Sequence, residues 1–371
     1  MTINISQGQT LKEYIAVATK AYWAVAKALK SDVCVAMPAL KKPDNDLAFD
    51  DQEKAEYLAD SIELQFSLNP APPDLEHVNR VENEVLRRSS LPPKDDLPSV
   101  SADEVQKTHQ RVKTQKGTGP GWAWKEAVII GIPKPEKPRD LPTSYRPISL
   151  LSGLGKLFEK VLKSRLSDHL LGNGLIINEQ FGFRPNHSCP QQALRLVEHI
   201  SEGFKRKRKT VAVFFDVAKA FDKVWHAGLI YKLHQLQVPD RLVFIIQHYL
   251  TNRQFSFRHE KSISAKRLIR AGVPQGSTLS PLLYSAYTND IPRPQTGVQL
   301  ALFADDTALY LSGSSFRIIT PRLQKAIDEL TRWFQTWRIE VNPKNQQPSS
   351  SITVGSKEGS CTIQRTNIPH K

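Results

Sequence analysis

The chain has 371 residues, 40% of them hydrophobic, and carries a formal net charge of +14 with a pI near 9.6. This length and apolar content predict a globular protein with one large domain or two smaller ones. Residues 1–100 contain 11 Lys and Arg against 16 Asp and Glu, whereas the other 271 residues contain 40 against 21. The region after residue 100 therefore suits a polyanionic partner, although membranes and simple solubility also favour basic proteins.

Cysteine usage and hydropathy exclude several classes of protein. Cys34, Cys189 and Cys361 are far apart in the chain, which supports neither a disulfide framework nor a zinc module and favours a reduced, intracellular setting. Lysines interrupt the amphipathic N-terminus too often for a signal peptide or a membrane span, and no other segment is long and apolar enough to cross a bilayer. We therefore expect an intracellular protein without membrane contact.

The first third of the chain contains two kinds of sequence, a region with helical periodicity and then a proline-rich region. Residues 1–70 are predicted to form a helical N-terminal extension, because apolar residues recur at helical spacing in LKEYIAVATKAYWAVAKAL and in AEYLADSIELQF. Two proline clusters, NPAPPDLEH and SSLPPKDDLPSVS, follow. They predict a proline-rich linker over residues 71–117 rather than packed structure.

From Trp124 onward, short β-rich runs alternate with helical patterns, which is typical of a mixed α/β or α+β protein. Strands are predicted in EAVIIGIPKP, in TVAVFFDV and on both sides of the Asp pair in LALFADDTALYLSG. Helices are predicted in GLGKLFEKVLKSRLSDHLL, QQALRLVEHISEGF, HAGLIYKLHQL and STLSPLLYSAY. The polar segment 346–371 is predicted to be a disordered tail.

Three carboxylates interrupt the apolar runs of this region. Asp305 and Asp306 lie inside VQLALFADDTALYLSG, and Asp216 ends TVAVFFDV. Like charges are costly in a core strand unless a cation neutralises them, but a solvated turn or a strand cap is also compatible with each segment. If the two strands are neighbours, the carboxylates meet at one sheet edge. They then offer the hard oxygen ligands that two Mg²⁺ ions require in phosphoryl transfer.

A basic run, FKRKRKT over residues 204–210, directly precedes the strand that ends at Asp216. Five consecutive cations suit a nuclear-localisation patch or a contact with a nucleic-acid backbone. Such a run more often forms a solvated hairpin tip, which is the alternative.

Several motifs surround the carboxylates in a fixed order: YRPISLLSGLGKLFEKVL, NEQFGFRPNHSCPQQALRL, AGVPQGSTLSPLLYSAYTNDI and ALFADDTALY. In this order and spacing, the chain from about Trp122 to Asn342 resembles a reverse transcriptase of the non-LTR retrotransposon type, and most closely the jockey-like mobile elements. The resemblance implies a right-hand polymerase fold, with partial fingers over residues 118–210 and a palm built on an antiparallel sheet over residues 211–345.

The resemblance also implies catalytic roles. Asp216, Asp305 and Asp306 would be the catalytic carboxylates and the ligands of two Mg²⁺ ions, for which Mn²⁺ is a possible substitute. Phe221 matches the steric-gate position, where a large ring collides with a ribose 2′-hydroxyl. A core aromatic on the segment after the strand is the alternative.

Further residues of the motifs are expected to contact the substrates. Arg146 and Lys134 match positions that face the triphosphate, with a solvated surface charge as the alternative for each. In GVPQGST, Gln275 and Gly276 are expected to bind the nucleotide, and Pro274 and Ser277 the template or primer. A Pro-Gly turn leading into a helix capped by Ser277 or Thr278 is also compatible.

In QFGFRPNHS, Phe183 and Arg184 combine an aromatic ring and a cation that suit a template strand, although the aromatics are also compatible with the core.

The sequence departs from the family pattern in three places. The fingers motif before Trp124 is shortened, Lys344 is one place out of register with a lysine of similar enzymes, and neither a thumb nor an endonuclease is recognised. We nevertheless expect an RNA-directed DNA polymerase core, a nucleotidyltransferase that extends a DNA primer on an RNA template with dNTPs, in the nucleus after cytoplasmic passage. An inactive nucleic-acid-binding remnant is the alternative, and Phe221 disfavours an RNA polymerase of viral type.

Overall fold

The computed structural model describes residues 4–5, 37–43, 46–68, 74–95, 97–109, 125–135, 137–295, 297–342, 351–357 and 360–365. The helix predicted in LKEYIAVATKAYWAVAKAL, the shortened fingers motif before Trp124, and Lys344 lie outside these ranges. Among the described helices, none is long and apolar enough to cross a membrane.

The described ranges contain nine α-helices. Their bounds are α1 Asp51–Gln65, α2 Leu75–Ser89, α3 Ala102–His109, α4 Gly153–Leu170, α5 Cys189–Lys205, α6 His226–Gln235, α7 Asp240–Leu250, α8 Ser280–Tyr287 and α9 Phe316–Thr336. The helices predicted in AEYLADSIELQF and in the four later helical patterns are confirmed by α1, α4, α5, α6 and α8.

The strands of the described ranges form three sheets. Their bounds are β1 Asn4–Ile5, β2 Leu40–Lys41, β3 Leu47–Ala48, β4 Glu126–Pro133, β5 Tyr145–Leu150, β6 Lys209–Phe215, β7 Arg253–His259, β8 Ser262–Ile263, β9 Arg267–Ile269, β10 Gln299–Phe303, β11 Asp306–Gly313, β12 Ser351–Lys357 and β13 Ser360–Arg365. The predicted strands are confirmed by β4, β6, β10 and β11.

The largest sheet has the order β1-β13-β12-β6-β11-β10, and its pairs are antiparallel. Strand β11 lies between β6 and β10, with Thr307 opposite Phe215 and Phe303 opposite Asp306. Apolar residues at helical spacing along α9, among them Leu323 and Leu330, are buried in the core that this sheet shares with α4 and α6 to α8. The sheet is therefore anchored by a large apolar core.

A second sheet has the order β5-β4-β7-β8, with β9 paired to β7. Its core is closed by α1, whose Leu58 and Ile62 are buried with Phe255 and Phe257 of β7. Strands β7 to β9 come from the segment predicted as palm, yet they join β4 and β5, and β4 pairs with β7 in parallel. The strands of that segment are thus divided between two sheets.

The region predicted as a linker contains packed structure. Helix α2 buries Val78, Val81 and Val85 in the main core, and Asp74 caps it by accepting a hydrogen bond from the His77 N–H (2.9 Å). The prediction of an extended connector was wrong over the residues of α2 and α3. The proline clusters precede and follow α2 in the sequence and do not interrupt it.

Two other expectations need correction. The segment predicted as a disordered tail forms β12 and β13, because β12 pairs with β13 and with β6 and these pairings satisfy its backbone polar groups. In the predicted helical extension, β2 and β3 pair through Leu40 and Ala48, so the helix prediction was wrong there although α1 follows directly.

Candidate active site

Three carboxylates converge where β6 ends and β11 begins. The two strands are antiparallel, so the end of one lies beside the start of the other, and Phe215 is opposite Thr307. Asp216 directly follows β6, Asp306 is the first residue of β11, and Asp305 precedes it. The prediction that these strands are neighbours is confirmed.

The charges in this cluster act on one another. Burial, and next the charges of Asp305 and Asp216, raise the pKa of Asp306 to about 6. Burial and the charge of Asp216 also raise the pKa of Asp305, and the positive charge of Arg146 opposes that rise. The cluster therefore concentrates negative charge at one edge of the sheet, to which a cation would be attracted.

Asn342, which the sequence motifs did not single out, fixes the Asp216 end of the cluster. Its backbone N–H donates to the Asp216 carbonyl oxygen (2.8 Å), and its side-chain Nδ2 donates to Asp216 Oδ2 (3.3 Å). Because Asn342 follows α9, this contact ties the carboxylate to the segment after that helix. No signal in the sequence would have paired two residues so far apart.

The donor set suits a hard divalent cation, because three carboxylates offer oxygen ligands and two of them have raised pKa values. Within the described residues, no group of three or more His, Cys, Asp and Glu side chains is drawn together tightly enough to hold a metal ion. The carboxylates are therefore close enough to affect one another's pKa, but they do not form a closed set of metal ligands.

Phe221 lies between this cluster and the GVPQGST loop. Its ring stacks on Tyr284 of α8, with ring centroids 5.0 Å apart, and meets the edge of the Phe183 ring at 6.2 Å. Its carbonyl oxygen accepts a hydrogen bond from the Val273 N–H (2.7 Å). The ring is partly buried and packs against the core.

The GVPQGST loop is held by a buried carboxylate that the sequence analysis missed. Gln275 Nε2 donates to Asp222 Oδ1 (2.8 Å), and burial raises the pKa of Asp222 to about 7 against the opposing effects of Gln275 and nearby lysines. Gly272 has φ +92°, and a Cβ on it would lie 2.4 Å from the Asp222 carbonyl oxygen. A carboxylate in AFDKV, one residue after Phe221, was the available signal.

Two cations face the same region from the second sheet. Arg146 is exposed on β5, and the Ser149 N–H of that strand donates to the Gln275 carbonyl oxygen (2.8 Å). Lys134 follows β4 and donates to the Thr143 carbonyl oxygen (2.8 Å). Burial and the charge of Arg146 lower the pKa of Lys134, whereas Asp222 and Asp216 oppose that effect. Both predicted triphosphate contacts thus lie within electrostatic reach of the carboxylates.

Phe183 and Arg184, two of the residues predicted to contact template or primer, differ in their exposure. Phe183 is 58% exposed, next to Phe221. Arg184 is half-buried and donates to the Ile177 carbonyl oxygen (3.1 Å).

Pro274 and Ser277 are buried at the entry to α8. The Ser277 hydroxyl accepts hydrogen bonds from the N–H groups of Leu279 (3.1 Å) and Ser280 (3.3 Å). Ser277 therefore binds donors at the start of that helix, but the N-cap residue is Leu279, so the alternative that placed the N-cap at Ser277 or Thr278 was wrong. Gly276 has φ +96°, and a Cβ on it would lie 3.1 Å from the Ser149 carbonyl oxygen.

Comparison with known proteins gives one family match. Residues 132–351 match the family described as reverse transcriptase (RNA-dependent DNA polymerase). The probable RNA-directed DNA polymerase from transposon BS of Drosophila melanogaster is 43% identical over 228 residues, which cover 60% of this chain and 25% of that protein. The RNA-directed DNA polymerase from mobile element jockey of the same species is 31% identical, covering 91% of this chain and 40% of that protein.

The chain thus spans a quarter to two fifths of the length of these relatives. Among solved structures, apo telomerase from Candida tropicalis, truncated from its C-terminal domain, has a TM-score of 0.45 and 12% identity over 63% of this chain and 51% of that chain.

Proposed function

Because the chain belongs to the reverse transcriptase (RNA-dependent DNA polymerase) family, we propose that it is the polymerase core of a jockey-like non-LTR retrotransposon. Its reaction is RNA-directed addition of dNTPs to a primer 3′ end. The six-stranded sheet is assigned as the palm, and the sheet of β4 and β5 as part of the fingers. The helical N-terminal extension is assigned no role in the reaction.

One observation carries this proposal. Asp216, Asp305 and Asp306 meet at one edge of the large sheet, and mutual repulsion contributes to the raised pKa values of Asp305 and Asp306. A protein keeps such a costly arrangement when a bound cation repays it. Family membership and this cluster point to the same chemistry by independent routes.

In the proposed reaction, the primer 3′-hydroxyl oxygen forms a bond to the α-phosphorus of the dNTP and releases its proton to solvent water, while the bond from that phosphorus to the leaving pyrophosphate breaks. Asp216, Asp305 and Asp306 would hold two Mg²⁺ ions, which supply charge stabilisation at the attacking and leaving oxygens. Arg146 and Lys134 are assigned to the triphosphate, whose negative charge their cations oppose.

The remaining roles follow the layout around Phe221. Its ring is assigned as the gate against a ribose 2′-hydroxyl, supported by its position between Phe183 and Tyr284. Gln275 and Gly276 are assigned to the incoming nucleotide. Template and primer contacts are assigned to Phe183, Arg184, Pro274 and Ser277, the last two through the shape of the loop they stabilise.

RNA template, DNA primer and dNTPs are the partners in this proposal. The run of five cations at residues 205–209 is exposed at the turn before β6, where it is accessible to a nucleic-acid backbone or to a nuclear-import receptor. Nuclear localisation is part of the proposal for that reason.

The test is primer extension on an RNA template with labelled dNTPs and Mg²⁺. We expect incorporation by the wild-type chain and by Asp168→Ala, which removes an exposed carboxylate of α4, and none by Asp305→Ala. Synthesis by folded Asp305→Ala would refute the site. A folded wild-type chain that binds primer-template without incorporation would identify an inactive remnant.

A further inference from the structure

The turn that carries the catalytic Asp pair has an unusual backbone. Ala304, between β10 and Asp305, has φ +58°. Residues with a Cβ rarely adopt this left-handed conformation, and an alanine that adopts it must be held there by its surroundings. The direction in which Asp305 leaves the strand depends on this one residue.

A single buried amide holds Ala304 from both sides. The Gln180 side chain, 1% exposed, accepts hydrogen bonds at Oε1 from the N–H of Ala304 (3.0 Å) and of Gly182 (2.8 Å). Its Nε2 donates to the Ala304 carbonyl oxygen (3.2 Å). Both backbone polar groups of the left-handed residue are therefore bound to one side chain.

The segment around Gln180 lies directly on the turn. A Cβ on Gly182 would be 2.1 Å from the Ala304 nitrogen, so only glycine permits this approach. The segment also pairs with the edge strand β10, since the Phe181 N–H donates to the Leu302 carbonyl oxygen and the Leu302 N–H donates to the Glu179 carbonyl oxygen, both at 3.0 Å. Gln180 is thus fixed on the sheet that bears the carboxylates.

We propose that Gln180 is a positioning residue that holds Ala304 in its left-handed conformation and so aims Asp305 and Asp306 at the catalytic site. The effect of Gln180 on catalysis rests on the proposed function, whereas its effect on the backbone conformation of Ala304 does not. Without Gln180, the turn relaxes towards ordinary backbone angles and the carboxylates move away from their working positions.

The chain offers a matched control in Gln192. This glutamine is also buried, and its Nε2 donates to the carbonyl oxygens of Glu179 (2.9 Å) and Leu302 (3.0 Å). It therefore joins the same two segments as Gln180, but its amide nitrogen binds Glu179 and Leu302 rather than Ala304. A substitution of Gln192 therefore removes a buried amide without removing the hydrogen bonds that hold Ala304.

The experiment compares Gln180→Ala and Gln192→Ala by thermal unfolding, hydrogen exchange at the Ala304 amide, Mn²⁺ affinity and kcat. We expect similar losses of thermal stability, but only Gln180→Ala should speed Ala304 exchange, by roughly tenfold or more. It should also weaken Mn²⁺ binding and lower kcat by about 10- to 100-fold. Equal effects of the two variants on exchange and Mn²⁺ affinity would overturn the proposal.

A second comparison uses Ala304→Gly, because glycine adopts the left-handed conformation without a Cβ penalty. In the Ala304→Gly background, the fold-decrease in kcat caused by Gln180→Ala should be several times smaller than it is in the wild type. The fold-decrease caused by Gln192→Ala should be the same in both backgrounds. If Gln180→Ala alone does not fold, the Ala304→Gly background provides the same comparison. Exchange and Mn²⁺ binding do not require turnover, so an inactive wild-type chain would refute the proposed function and leave this inference testable.

Discussion

Asp306→Asn should stabilise the folded chain and, under the proposed function, impair catalysis, because the carboxylate is held among like charges that oppose its ionisation. The pKa of Asp306 rises from 3.8 to about 6 on folding. At 1.36 kcal/mol per unit, this shift corresponds to about 3 kcal/mol. Neighbouring groups enclose the Asp306 carboxylate on one side, but the residue keeps a large solvent-accessible surface, and solvent screening reduces that figure to about 1 kcal/mol.

The sign of the pH dependence follows from the raised pKa. The folded state disfavours the ionised form, so the cost is absent below about pH 4 and fully present above about pH 6. Wild-type stability should therefore fall across that window relative to Asp306→Asn. Addition of Mg²⁺ above pH 6 should stabilise the wild type more than the variant, since the cation offsets the repulsion that the variant has already lost.

Urea unfolding between pH 4 and pH 8, with chelator or with Mg²⁺, measures both effects. Asp168→Asn, on the exposed face of α4, is the control and should change the free energy of unfolding by less than about 0.5 kcal/mol at every pH. The reasoning is refuted if Asp306→Asn and the wild type are equally stable above pH 6, or if their difference does not vary with pH.

Three further predictions concern the residues around the gate. Phe221→Ala should raise rNTP incorporation relative to dNTP by roughly tenfold or more, and unchanged discrimination in primer extension would refute the gate role. Gly272→Ala should cost roughly 3 kcal/mol or more in urea unfolding, because φ is +92° and the Cβ would meet the Asp222 carbonyl oxygen at 2.4 Å. Gly174→Ala, with φ +65° but open space, should cost only about 1 kcal/mol, and equal costs would contradict the steric argument. Ser277→Ala should cost about 1 kcal/mol through lost hydrogen bonds at the start of α8, and a thermal melt that is unchanged would exclude that role.

Strands β6, β10 and β11 of the large sheet could be predicted from the sequence because their periodicity is strong. The pattern TVAVFFDV indicated a strand, and LALFADDTALYLSG indicated two strands on either side of the Asp pair, all of which form. The convergence of Asp216 with Asp305 required only that these strands be neighbours. The apolar runs made that arrangement favourable, although they did not require it.

The errors have a common physical origin in local composition. Prolines near residues 70 and 92 suggested an extended connector, but three valines at helical spacing in α2 bury against the main core and stabilise a helix between the proline clusters. In the same way, the polar composition of the last residues concealed strands β12 and β13. In each case, pairing or packing with distant residues outweighed composition.

The hydrogen bonds that individual side chains make with distant residues could not be predicted from the sequence. Gln180 follows Asn178 and Glu179 in a polar stretch, and nothing in that stretch indicates that its amide would reach Ala304. Asp222 could have been noticed as a carboxylate next to Phe221 in the sequence. Its hydrogen bond to Gln275, however, depends on how the GVPQGST loop packs against the segment after β6. Long-range register decides such contacts.

The segment after Asp216 and the GVPQGST loop behave as one structural unit. Phe221 and Val224 accept hydrogen bonds through their carbonyl oxygens from the N–H groups of Val273 (2.7 Å) and Gly272 (2.8 Å), and Gln275 donates to Asp222. In the proposed function, one segment contacts the sugar and the other the incoming base pair. Because backbone hydrogen bonds join Gly272 and Val273 of the loop to Val224 and Phe221, a shift of the loop should move the ring of Phe221 as well. Sugar selection and base-pair geometry should therefore change together in variants of either segment, even when the substituted residue touches only one of the two groups.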